Sequence, residues 1–316
     1  MSVPEKVLTN QDLERMVNTS DEWIRSRTGV SERHISEPHQ SASYFAIRAA
    51  QEALDRAGVP AESLDIICVA TVTADHLFPG TASLVQEAIG AKNAGAFDLG
   101  AACAGFIYGC EIVGSMIQNG TVERALLIPV DVLTKFVNWE DRSTCILFGD
   151  GGGAIYMEAG DGERGLIAGV MRSDGSGAKH ITIDMGGSRY PFCSPESKGR
   201  INKIYMAGPE VYRFAVAAMG ESCRAVLKKA GMSVDDVDLF VPHQANLRII
   251  TAASDRLGLP REKVYIHIEK YGNMAAGSIP IALYEAEREG RLKKGDVLMT
   301  VGFGAGLVWG ANLIRW

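Results

Sequence analysis

The stretch AIRAAQEALDRAGVPAESLDIICVA (46–70) reveals the architecture, because the chain contains a likeness of it again: MGESCRAVLKKAGMSVDDVDLFVPH runs from 219 to 243. Leu54, Ala57, Gly58 and Asp65 recur as Leu227, Ala230, Gly231 and Asp238 at a constant offset of 173 residues. Each copy reads as a helix-period segment, an Ala-Gly stop, a short acidic loop and an apolar strand. The glycine suits the left-handed position just past a helix end. A repeat of this length is the mark of a duplicated structural unit.

The likeness extends outward. ERALLIPVD (123–131) resembles KGDVLMTVG (294–302) at an offset of 171. Both runs lead into glycine-rich turns, at 149–153 and 302–306, and then into the strand-like AIYME and LVWGANLI. Two helical segments rich in small residues, AACAGFIYGCEIVGSMI and MAAGSIPIALYEAE, lie between. The pattern predicts two similar α/β halves, 1–160 and 165–316, with helices packed on mixed or parallel sheets. It also places the small-residue helices near a pseudo-symmetry axis, where a site can form.

Composition narrows the function. The 316 residues are 47% hydrophobic and 22% charged, ample for a sizeable core. A net charge of −6 without a basic run excludes a nucleic-acid binder, which needs clustered Lys and Arg. No run of about 18 apolar residues predicts a membrane span, and MSVPEKVLTNQDLERMV lacks the build of a signal peptide. The six cysteines (68, 103, 110, 145, 193, 223) form no CxxC, so reduced thiols in a cytoplasm are expected. The absence of HExxH and of a Walker loop speaks against a zinc or nucleoside-triphosphate site.

Three residues carry chemistry in their contexts. Cys103, in AFDLGAACAGFIYGCEI, lies where an apolar strand turns into a helix. Free N–H groups and the helix dipole there stabilise a thiolate and can hold an oxyanion. From context alone it is either a nucleophile or a buried structural thiol; the other five cysteines read as core or incidental. His243, in LFVPHQANLRII, ends an apolar run, a place to present an imidazole to a pocket, though a structural histidine fits as well. Asn273, in KYGNMAAGSIPIAL, reads as a turn or cap residue or as a neutral donor suited to an enolate oxygen. The Gly149–Gly153 turn matches a loose dinucleotide pattern, but a strand follows it where that fingerprint needs a helix. It reads as a tight turn with close backbone packing. The remaining histidines (34, 39, 76, 180, 267) have weaker contexts.

Together these segments resemble the β-ketoacyl-acyl-carrier-protein synthase III family of the thiolase superfamily. The likeness covers nearly the whole chain: NTSDEWIRSRTGVSERHI (18–35), the cysteine segment, DRSTCILFGDGGGA (141–154), SDGSGA (173–178), VPHQANLRII (241–250), YGN (271–273) and FGAGLVWGA (303–311). The resemblance implies a duplicated, five-layered α/β/α/β/α fold with two mixed sheets. It makes Cys103 the acyl-accepting nucleophile and His243 with Asn273 the pair that assists decarboxylation. The backbone N–H groups of Cys103 and Ala305 become the oxyanion hole. Thr19, Trp23, Arg27 and Arg142 match coenzyme A contacts; Gly208 and Asn246 match the pantetheine tunnel. Arg213, Arg248 and Arg256 match basic positions that meet an acidic carrier protein. Phe78 matches a residue that closes the acyl pocket across a dimer interface.

The implied reaction starts fatty acid biosynthesis from a short acyl-CoA, acetyl-CoA first, and malonyl-carrier protein, in a cytoplasmic homodimer. It requires no cofactor, coenzyme A thioester being a substrate. Primers differ by a few methylenes, about 0.8 kcal/mol each in burial, so one pocket residue can decide among them. Other readings are a polyketide-starter or secondary-metabolite acyl transfer, a hydroxymethylglutaryl-type condensation, a Cys–His hydrolase, a nucleotide-binding oxidoreductase and a non-catalytic carrier-protein binder. Three departures from the family pattern stand out. The strand that usually precedes the equivalent of Val3-Pro4-Glu5 is missing; Met274-Ala275 replaces Thr-Ser after the asparagine; Ala305 stands where glycine is common.

Overall fold

In the computed structural model, which describes every residue except Asp161, Cys193 and Arg200, the first copy of the repeat is the helix Ala42–Ala57, a turn through Gly58 and the strand Ile66–Ala70. The second is the helix Gly208–Ala230, Gly231 and the strand Leu239–Pro242. Gly58 and Gly231 end their helices in the left-handed conformation, φ 69° and 67°. The reading of Cys193 lies outside the described residues; Cys68, Cys110, Cys145 and Cys223 are free and buried.

Asp65 and Asp238 have one job in the two copies. The N–H of Asp65 donates to Arg124 O and that of Asp238 to Val297 O, both at 2.9 Å. In return their Oδ2 atoms accept from Arg124 N (2.9 Å) and Val297 N (2.8 Å). These bonds make the strand Arg124–Val132 the counterpart of Val297–Gly304 at the offset of 173, which corrects the 171 read from the sequence. Side chains in a strand repeat every two residues, so a two-residue slip preserves hydrophobic likeness. The aspartate-anchored bonds tolerate no such slip.

One sheet runs Gly95–Leu99, Ile66–Ala70, Arg124–Val132, Asp150–Gly152, with Ile155–Glu158 also paired to Arg124–Val132. The other runs Leu239–Pro242, Val297–Gly304, Val308–Arg315, Gly165–Ser173. Each mixes parallel and antiparallel pairs, as expected. Strand alternation then builds five layers. Ile67, Val69, Leu126 and Ile128 pack outward under the Ala42–Ala57 helix. Cys68, Ala125 and Leu127 face inward, where Phe106, Ile107 and Val113 meet Ile279, Ala282 and Leu283. Leu239, Val241 and Leu298 close that middle layer from the second sheet. Phe240, Met299 and Val301 face the outer helices Gly208–Ala230 and Leu247–Leu257.

The glycine-rich 149–153 segment enters the strand Asp150–Gly152, and the strand Ile155–Glu158 follows. Its glycines serve close packing: a Cβ on Gly152 would lie 2.6 Å from Pro129 O, and one on Gly153 2.9 Å from the Pro280 Cβ. The outer edge of this strand is met by Ser2, whose N–H and carbonyl pair with Gly152 at 2.8 and 2.9 Å. The corresponding edge of the second sheet is covered by the nine-residue strand Gly165–Ser173.

Candidate active site

Cys103 lies in the 3-10 turn Ala102–Ala104 that joins the strand Gly95–Leu99 to the central helix Gly105–Gln118. Small residues permit the crowding around it. A Cβ on Gly105 would come within 3.0 Å of Ala70 Cβ and 3.1 Å of Ala276 Cβ; one on Gly304 would come within 2.6 Å of Cys103 N. Ala102 holds a left-handed φ of 44°, a conformation that a residue with a Cβ keeps only under constraint. The helix-start placement is as expected, but the protonation state is not. Burial, and secondarily the charge of Asp131, push the Cys103 thiol up to about 12. A mostly apolar surround penalises the thiolate more than the short turn's N–H groups favour it, so the resting group is a thiol.

His243 follows the strand Leu239–Pro242 and is tied down by its own N–H to Val301 O at 2.8 Å. Its ring is 1% exposed and meets Phe303 edge-on, centroids 5.6 Å apart. Burial, then the nearby His267, lowers its pKa to about 3. The imidazole is therefore neutral at physiological pH, with one N–H to donate.

Asn273 bridges the halves. Its N–H donates to Leu147 O at 2.8 Å, and its carbonyl accepts from Gly149 N at 3.0 Å. The glycine-rich motif of the first half thus holds the asparagine of the second. The Ala275 N–H donates to Asn273 Oδ1 at 2.9 Å. A backbone N–H needs an acceptor, so the oxygen must sit there and Nδ2 is left as the free donor. Met274 does not disturb this arrangement: its side chain is fully buried with Tyr271 and Ile281, and Met1 and Val3 pack on them. Behind the loop, Gln244 Oε1 accepts from His267 N at 3.0 Å. Tyr271 donates to Glu285 Oε1 at 2.7 Å, and His267 Nδ1 stands 3.6 Å from Glu285 Oε2. Burial raises the Glu285 carboxyl, but His267 and Tyr271 outweigh it and hold it below the ordinary glutamate value.

One cavity of about 760 Å³ collects these groups: Cys103, His243, Asn273 and Ala305 all line it. Ala305 sits in a turn whose positive φ falls on Gly306, at 148°, so its methyl group brings no backbone strain. Trp23, Arg27, Gly208, Asn246, Arg213 and Arg248 also line the cavity. A Cβ on Gly208 would meet nothing within 4 Å. Asn246 caps the helix Leu247–Leu257 through Arg248 N and donates Nδ2 to Arg27 O at 3.0 Å. Thr19, Arg142, Arg256 and Phe78 are not among the lining residues. Arg142 instead lies 4.7 Å over the Trp23 ring and donates to Asn18 O. Arg256 is exposed in the last turn of its helix, and Phe78 is 85% exposed beside Leu77 at 84%.

Sequence reasoning missed three parts. The short antiparallel pair Ile181–Ile183 and Ile204–Met206 walls the cavity and carries no local signal. His267 is 2% exposed, packed among Gln244, Tyr271 and Glu285. Asp131 is a fully buried carboxylate acting on Cys103; its signal was visible, an acidic residue inside the apolar run ALLIPVDVL.

Comparison with known proteins gives a consistent picture. Residues 97–175 match the family description 3-oxoacyl-[acyl-carrier-protein (ACP)] synthase III, and residues 227–316 its C-terminal part. The beta-ketoacyl-[acyl-carrier-protein] synthase III of Symbiobacterium thermophilum is 52% identical, over 100% of this chain and 96% of its own. The 3-oxoacyl-[acyl-carrier-protein] synthase III structure from Aquifex aeolicus superposes with a TM-score of 0.93 at 45% identity, covering 100% of this chain and 97% of that one. The priming beta-ketosynthase of the R1128 polyketide pathway superposes with a TM-score of 0.92 at 34% identity, covering 99% and 93%.

Proposed function

This chain belongs to the β-ketoacyl-[acyl-carrier-protein] synthase III family of condensing acyltransferases with the thiolase fold, and on that premise we propose that it joins a short acyl-CoA to malonyl-carrier protein through an acyl-Cys103 intermediate. The observation that carries the reading is the single cavity onto which Cys103, His243, Asn273 and Ala305 open.

The Cys103 sulfur attacks the acyl-CoA thioester carbonyl, and coenzyme A departs as its thiol with the proton that Cys103 gives up. The N–H groups of Cys103 and Ala305 donate to no other residue among the described ones, and they receive the oxyanion of the tetrahedral intermediate. The malonyl thioester then enters. Its carboxylate leaves as CO2, and the bonding pair moves onto the thioester as an enolate. Neutral His243 and the Nδ2 of Asn273 donate to the enolate oxygen. Neither donor carries a charge to be desolvated, and neither gives up a proton. The enolate carbon attacks the acyl-Cys103 carbonyl, and collapse of the second tetrahedral intermediate expels the cysteine sulfur, which takes up a proton. No metal or redox group takes part.

Arg27, Arg213 and Arg248 at the cavity mouth supply positive charge for coenzyme A phosphates and an acidic carrier protein. The Arg142–Trp23 stack offers a flat surface to a nucleobase. Exposed Leu77 and Phe78 fit a homodimer in which Phe78 closes the partner's acyl pocket. No helix among the described residues is long and apolar enough to cross a membrane.

Intact mass measured after acetyl-CoA, and again after malonyl-carrier protein, tests the reading. An acetyl adduct on Cys103 that disappears as acetoacetyl-carrier protein forms is expected. An adduct that persists would point to another acceptor. No adduct with acetyl-, longer or branched acyl-CoA would remove Cys103 as the nucleophile.

A further inference from the structure

Beside the nucleophile lies a buried carboxylate that the reaction above does not use. Asp131, in the strand Arg124–Val132, is 0% exposed. Its Oδ1 accepts from Thr71 Oγ1 (3.0 Å), Thr73 Oγ1 (2.8 Å) and Val72 N (2.9 Å). Its Oδ2 accepts from Ala276 N at 3.2 Å. Burial pushes its pKa up to about 6 even against these donors. A charge this costly to bury calls for a reason.

The duplication supplies one. At the offset of 173, Ala276 is the counterpart of Cys103, Asp131 of Gly304, and Val132 of Ala305. Gly304 has no side chain, so the Cys103 N–H stays open to the cavity. In the mirror position, Asp131 lays a carboxylate oxygen on the Ala276 N–H. The Ala305 N–H is open as well, whereas its mirror, the Val132 N–H, donates to Thr73 Oγ1 at 2.9 Å. The chain therefore folds two pairs of N–H groups of one kind and fills one pair from within.

We propose that Asp131 is a built-in anion in this mirror oxyanion hole and that it positions Asn273 for decarboxylation. Two successive amides transmit the constraint. The Ala276 N–H is held by Asp131, and the Ala275 N–H holds Asn273 Oδ1. Ala275 keeps a left-handed φ of 45°, which a residue with a Cβ retains only where its surroundings enforce it. Without the carboxylate, the buried Ala276 N–H loses its acceptor, the turn relaxes, and Nδ2 loses its aim at the enolate oxygen. Asp131 is thus a positioning residue. The inference rests on the assignment of Asn273 to the decarboxylation step.

The test uses the full chain carrying Asp131→Asn. Malonyl-carrier protein decarboxylation, Cys103 acylation by acetyl-CoA and the pH dependence of Cys103 alkylation by iodoacetamide are measured side by side. Decarboxylation is expected to fall about tenfold or more, with acylation no slower than in the unaltered protein. The alkylation profile is expected to move to lower pH, because a neutral amide replaces a negative charge that raises the thiol's pKa; acylation that stays as fast as in the unaltered protein separates this charge effect from a lesion that lets water reach the thiol, which would lower the same pKa. Decarboxylation within about twofold of the unaltered protein, or an alkylation profile that stays in place, overturns the proposal. If Asp131→Asn does not fold, Thr71→Val removes one donor to the carboxylate. It is expected to cost about threefold in decarboxylation with acylation spared, and no change would be equally fatal. Asn273→Asp run alongside separates the two claims. If it leaves decarboxylation intact, the assignment of Asn273 fails; if it abolishes decarboxylation while Asp131→Asn spares it, the role of Asp131 alone fails.

Discussion

The turns Ala102–Ala104 and Ala275–Gly277 are copies of each other with different duties. Both are 3-10 turns that open on an alanine in the left-handed region and feed a central helix. Yet Cys103 on the first turn corresponds to Ala276 on the second, and His243 and Asn273 correspond to Ala70 and Gly100. On the proposed mechanism the first half keeps the nucleophile and the second keeps the two enolate donors. Two equivalent frames of backbone N–H groups thus carry different side chains, and in the proposed reaction those few side chains divide the work between them. On the proposed mechanism acylation depends on the first turn and decarboxylation on the second, and both open onto one cavity.

Removing the nucleophile should break this division most sharply. Cys103→Ala is expected to lower acylation by at least about 10³-fold, read as the absence of an acyl adduct by mass. Malonyl-carrier protein decarboxylation should persist, because its donors lie on the other half; joint loss of both activities would mean that the halves are not separable. Next in size, Asn273→Asp should reduce condensation by about 10²-fold, since a carboxylate repels the developing enolate. Single-turnover acylation of Cys103 should stay within about threefold of the unaltered protein. Equal loss in both steps would undo the assignment. Tyr271→Phe removes the bond to Glu285 two residues before Asn273 while keeping the ring. Decarboxylation should fall about fivefold to tenfold from a loosened loop, with the KM for acyl-CoA unchanged.

The smallest effect concerns stability, and here the halves have opposite signs. His243 has a folded pKa of about 3, below its unfolded value of 6.5. Between these values the unfolded chain binds the extra proton, so this contribution is complete above 6.5 and is lost as pH falls towards 3. Asp131 has a folded pKa of about 6, above its unfolded 3.8. Its contribution is complete below 3.8 and is lost as pH rises through 6. Denaturant unfolding of His243→Phe at pH 4.5 and 7 is expected to show a smaller acid loss than the unaltered protein; the same pH dependence in both would remove His243 as its source.

Local chemistry left clear marks in the sequence. The Ala-Gly stops, the acidic loops and the apolar strands identified the repeat, because capping and strand periodicity depend on neighbouring residues. Cys103, His243 and Asn273 could be picked out because each sits at the end of such an element. The offset of the central strands could not be read correctly, because a two-residue period leaves hydrophobic register ambiguous until Asp65 and Asp238 anchor it. The antiparallel strand pair that walls the cavity and the burial of His267 were not legible either, since burial by distant segments leaves no pattern nearby.

The duplicated α/β architecture and the helix stops follow from short-range patterning along the chain, which also marked Cys103, His243 and Asn273 as candidates, while their roles came from the family resemblance. That Cys103 rests as a thiol and His243 as a neutral ring follows from the packed fold alone, because desolvation is set by everything packed around a group. The fold alone also decided which of two equivalent N–H frames stays open, since the answer lies in Asp131 and Gly304 meeting turns from the opposite half of the chain.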